Sequence, residues 1–109
     1  MRQIDTELAH VWMVRTFLKH SDEAQEDDEV AEVHRELYDY MLALGGPLKA
    51  GDANDYLKTA RKKLSNLKRA TDLFTQIQPQ VSSHTNFQMA AASLRTSVGR
   101  IDELLSATS

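Results

Sequence analysis

Apolar residues recur along this chain at steps of three and four, the spacing that lines one face of an α-helix. Ile4, Leu8, Val11, Trp12, Arg15 and Leu18 share a face of a first helix predicted over 4–19. A second is predicted over 22–44, capped by Ser21 or Asp22, with Val30, Val33, Leu37, Tyr40, Met41 and Leu44 turned inward. Gly45-Gly46-Pro47 is read as its stop and GGPLKAGD as a loop. Asp52 then caps a third helix over 53–78, which buries Leu57, Ala60, Leu64, Leu67, Thr71 and Phe74 and ends before Pro79. Thr85 and Gln88 have capping-box spacing for a fourth helix over 85–106, where Phe87, Ala91, Leu94, Val98, Ile101 and Leu105 form a heptad seam. No loop is long enough to run back along a bundle of about 30 Å. The pattern therefore predicts an all-α single domain over 1–109, an antiparallel up-down-up-down four-helix bundle. The alternative is a three-helix core whose first helix is lent to a partner.

The first helix is apolar on more than one side. Met13 and Phe17, with Val14 and His10 beside them, fall roughly opposite its inward stripe, and a helix apolar on two sides is usually buried on two sides. This second face is expected to be an interface, either with another copy in a homodimer or with a helix of another protein. The plainer reading leaves Met13 and Phe17 under a chain end or simply exposed.

Composition narrows the chemistry. A chain of 109 residues with 41% hydrophobic and 27% charged residues can bury roughly two-thirds of its unfolded surface in one core. It has no cysteine, which excludes disulfides, thiolate metal sites and cysteine nucleophiles. Asp5 and Glu7 interrupt any signal-peptide core, and no apolar run reaches the roughly 18 residues of a membrane span. A cytoplasmic location is expected. The net charge of −3 gives no general attraction to nucleic acid or anionic membrane.

The charges are segregated. The second helix and its start carry nine acidic residues between Asp22 and Asp39 against Arg35 alone, whereas the third carries Lys58, Arg61, Lys62, Lys63, Lys68 and Arg69. The plain reading is complementary flanks of neighbouring helices. The sharper one makes Lys58, Lys62 and Arg69 a docking stripe for an acidic partner or phosphate, but with no interleaved aromatics for stacking it argues poorly for nucleic acid. Arg15 stands near the centre of the first helix's apolar face, where a guanidinium needs a partner. A buried ion pair with Glu26 or Glu23 is expected, the alternative being that Arg15 snorkels to water.

Chemical motifs are weak. Glu7 and His10 have the Glu-x-x-His spacing of carboxylate-bridged diiron bundles, with Glu32 and His34 as the nearest supplementary ligands, but the second such motif and the inward glutamates are missing. Histidine phosphotransfer domains are also four-helix bundles of this length, and their signature, a lysine after two residues and then a small residue, follows neither His10 nor His34. His20 and His84 sit at helix boundaries. No cofactor and no catalytic constellation is predicted. The sequence reads as a non-enzymatic interaction or scaffold module, with a metal-binding bundle or a phosphotransfer module as alternatives.

Overall fold

The structure, a computed structural model, describes residues 1–107. Five helices follow one another with no strand among the described residues: α1 (Arg2–His20), α2 (Asp22–Gln25), α3 (Asp28–Ala50), α4 (Ala53–Val81) and α5 (Thr85–Ala107). The four long helices pack as a ring of pairs, α1 on α3 and α5, α4 on α3 and α5, within 40 × 23 × 19 Å. One hydrophobic cluster runs through all of them. Val11, Leu18, Val30, Leu37, Tyr56, Phe74, Leu94 and Ile101 are among its fully enclosed members. Each such large side chain contributes on the order of 1.5–3 kcal/mol by leaving water.

The helix ends differ from expectation for local chemical reasons. The second predicted helix breaks in two. Gln25 Nε2 donates to the Lys19 carbonyl at the end of α1, and the chain then leaves helical geometry at Asp27. Asp27 Oδ1 accepts from the backbone N–H groups of Glu29 and Val30, at 2.9 and 3.1 Å, so Asp27 rather than Ser21 or Asp22 caps the long helix.

Neither proline stops its helix. Proline forfeits one backbone bond, here the one to the carbonyl of Ala43 or Thr75, and close to a helix end the remaining bonds outweigh that loss. Gly46 also lacks the Cβ that would clash with the Pro47 ring in helical geometry. The stop lies at Gly51, whose φ of 68° is left-handed. Gly51 N–H donates to Leu48 O and Asp52 N–H to Pro47 O, a Schellman closure. Asp52 accepts at once from Asp55 N–H to start α4, as expected. The GGPLKAGD loop is therefore helix up to Ala50. At the far end, Gln78 is buried and donates to Ser82 O at 2.8 Å, which carries α4 past Pro79 to Val81. The Thr85–Gln88 capping box gives way to His84, whose Nδ1 accepts from Asn86 N–H while Gln88 Nε2 reaches Ser83 O.

The inward stripes of α3 and α5 agree closely with the sequence pattern. In α4, Ala60, Leu67, Thr71 and Phe74 are buried as expected, joined by Tyr56 and Ile77, while Leu57 and Leu64 are only partly covered. The Tyr40 hydroxyl donates to Ala60 O at 3.0 Å across the α3–α4 contact, and the Tyr56 hydroxyl is enclosed without a partner among the described residues. Burial pushes both phenols up, followed for Tyr40 by Tyr56 and for Tyr56 by the Asp5 carboxylate.

Two glycines separate the roles of turn and helix. Gly51→Ala should destabilise the protein by about 1–2 kcal/mol, because alanine resists left-handed geometry. Gly45→Ala, in helical backbone with open space around its added methyl, should stabilise it by about 0.5–1 kcal/mol. Urea unfolding of both variants measures the two signs.

Candidate functional site

Large apolar side chains remain uncovered along the seam between α1 and α3. Trp12 is 46% exposed, Tyr38 37% and Leu42 63%, although the sequence placed Trp12 on the bundle face. The seam continues past Leu8 and Ala9 to Met41, Gly45 and Leu48, which line a shallow groove with Asp5. On α3 this follows from phase, since positions 34, 38, 41 and 45 lie beside the buried stripe rather than on it, and Leu42, one turn beyond Tyr38, lies farther out on the exposed side of the helix.

Arg15 sits in the middle of this seam. Its Cζ lies 5.0 Å from the centre of the Trp12 ring and 4.7 Å from that of Tyr38, so the cation is held between two π faces. Each such contact is worth about 0.5–2 kcal/mol, depending on how far water is excluded. The expected ion pair with Glu26 or Glu23 is not formed. The one-turn α2 and the break after it hold these carboxylates away from Arg15. Both are exposed, and Glu23 accepts instead from the Ser21 hydroxyl at 2.9 Å. That carboxyl is held below its ordinary pKa by its own backbone N–H, then by Ser21 and His84. Among the described residues Arg15 Nε is buried without a hydrogen-bond partner, and so is His34 Nδ1. His34 is held below the usual histidine pKa by desolvation, then by the nearby charges of Arg15, Arg35 and Lys19. Four basic side chains thus gather on this flank, and none forms an ion pair among the described residues.

The other sequence-predicted residues disperse. His10, seven residues before Phe17, shares the α1 face that turns toward α5. Glu32 lines the α3–α4 groove beside Arg69, and His34 lies beside Arg15. Among the described residues no three His, Asp or Glu side chains are grouped to hold a metal ion, so Glu7, His10, Glu32 and His34 do not converge.

The proposed outer face of Met13, Phe17, Val14 and His10 is also divided. Val14 is core at 4% exposure, and Phe17 packs edge-on against Phe87 of α5, ring centres 5.0 Å apart. Met13 and His10 alone are freely exposed. Next to the phenylalanine pair, Met13, Thr16, His20, Glu23 and His84 rim an open cleft of about 500 Å³.

Lys58, Lys62 and Arg69 are exposed on α4. Arg69 donates to Asn66 and faces Glu32 and Glu36 across the groove, and Lys63 faces Glu36 and Asp39. The flanks of α3 and α4 are thus complementary in charge. The Lys68–Asp102 ion pair, at 3.1 Å, joins α4 to α5.

Compared with models of protein families, curated proteins and solved structures, the chain matches none. The reading of the site therefore rests on its own geometry. Among the described residues no helix is long and apolar enough to cross a membrane.

His34 gives a pH prediction with a definite sign. A histidine whose folded pKa is lowered binds fewer protons folded than unfolded, so its stabilising effect is complete above about pH 6.5 and is lost as pH falls toward the folded pKa. The melting temperature should fall between pH 7.5 and 5, and His34→Gln should flatten that decline. Equal slopes for parent and variant would contradict it.

Proposed function

We propose that this protein is a non-enzymatic interaction module in which the four long helices run up-down-up-down as an antiparallel bundle, and which self-associates through the α1–α3 seam. The short connections at Gly51-Asp52 and at 82–84 support the bundle topology. The observation that carries the function is the exposed pair of Trp12 and Tyr38 around a guanidinium that has no carboxylate partner among the described residues, with Leu42 exposed one turn beyond Tyr38. Tryptophan, tyrosine and arginine are the residues most enriched where interfaces concentrate their binding energy. The proposal moves the interface from Phe17, already engaged with Phe87 on the α5 flank of α1, to the opposite flank, which meets α3. The metal and phosphotransfer alternatives draw no support from the dispersed Glu7, His10, Glu32 and His34.

Size exclusion with light scattering tests this. The parent should elute at twice its 12.3 kDa protomer mass, and Leu42→Glu at the protomer mass with unchanged circular dichroism. Met89→Glu on α5, at a site equally open to solvent, should leave the dimer intact. A parent that stays at 12.3 kDa over the whole concentration range, or a Leu42→Glu variant that remains dimeric, would refute the seam as the interface.

A further inference from the structure

The α1–α3 seam carries unneutralised positive charge, and beside it, in α2 and the first turn of α3, lies unneutralised negative charge. Six of the eight residues from 22 to 29 are acidic: Asp22, Glu23, Glu26, Asp27, Asp28 and Glu29. Asp27 is spent on the α3 cap and Glu23 on Ser21. Asp22, Glu26, Asp28 and Glu29 are exposed and in no ion pair among the described residues. On the other side stand Arg15, Lys19 and Arg35 around His34. The remaining acidic residues of α3 do not compete for them, because Glu32, Glu36 and Asp39 face Arg69 and Lys63 of α4.

Resting on the self-association proposed above, we propose that the occupant of the seam is the acidic α1–α3 link of a second copy. A two-fold axis brings residues 22–29 of each protomer onto Arg15, Lys19 and Arg35 of the other. The spacing suits this arrangement. Asp28 and Arg35 are seven residues apart on α3, about 10 Å along its axis. A two-fold axis passing between the acidic and basic zones exchanges them, so one contact occurs twice. Trp12, Tyr38 and Leu42 then supply the apolar part of the interface while the charges set its register. A nucleic-acid phosphate is a poorer occupant, since the same acidic link would repel it.

Charge exchange between variants tests the pairing. Arg15→Glu/Lys19→Glu and Glu26→Lys/Asp28→Lys should each weaken self-association in sedimentation velocity by about tenfold or more, since like charges then meet twice. An equimolar mixture of the two should recover parent-like association, because both contacts are restored with reversed sign in one of them. Should Arg15→Glu disturb folding by circular dichroism, Lys19→Glu/Arg35→Glu makes the same reversal at exposed positions. Variants that dimerise like the parent would overturn the charge pairing and leave the apolar interface standing. Variants that fail to associate even when mixed would overturn the reciprocal arrangement. A monomeric parent would overturn both this pairing and the self-association on which it rests.

Discussion

The surface of this protein is organised around the Arg15 guanidinium, which no carboxylate neutralises among the described residues. Arg15 occupies a position that helical phase places at the edge of the core, where an unpaired charge loses hydration without gaining a carboxylate. Its compensation comes from the faces of Trp12 and Tyr38, one from each of the two helices that meet there. That arrangement has consequences for its neighbours. The rings must stay at the seam instead of turning into the core, which leaves them half in water. His34 remains partly buried beside the cation, so that burial first and then the charge of Arg15 disfavour its protonated form. The seam is therefore both structural, joining α1 to α3, and open to a further partner.

The break between α1 and α3 makes this possible. Had Ser21 or Asp22 opened one continuous helix, Glu26 would have stood near the level of Arg15 and could have neutralised it within the chain. The double acceptance by Asp27 starts α3 late, and the short α2 with its buried Ala24 occupies the interval. The acidic residues are thereby displaced to the end of the bundle. Positive and negative zones stay apart on one molecule, which is the condition the proposed dimer uses.

The sequence was most readable where one helix face meets one interior. Phe87, Ala91, Leu94, Val98, Ile101 and Leu105 of α5 are all buried as their spacing implies. The pattern was least readable on α1, which packs on α3 along one flank and on α5 along the other, so its apolar arc is wide and its edges ambiguous. Phe17 belongs to the α5 flank and Trp12 to the rim of the α3 flank, a distinction that depends on neighbours absent from local periodicity. The prolines misled for a different reason. Pro47 and Pro79 are strong breakers in the middle of a helix, but within a turn of its end each removes only one bond. The true stop at Gly51 is set by a left-handed backbone that only the three-dimensional turn reveals. The Arg15 site was legible in part: the residue and its need for compensation could be read, while the aromatic solution required the actual phase of Tyr38.

Trp12 is the single tryptophan of the chain and lies beside Arg15 within the proposed contact, so its own accessibility reports on that contact. The most direct measurement is acrylamide quenching of its fluorescence as protein concentration is raised through the association range. If a second copy covers the seam, the quenching constant should drop by about half or more as the half-exposed indole becomes enclosed, in keeping with water exclusion at an interface core. A quenching constant that stays the same at every concentration would show that nothing of this chain's own covers Trp12, and would contradict the account.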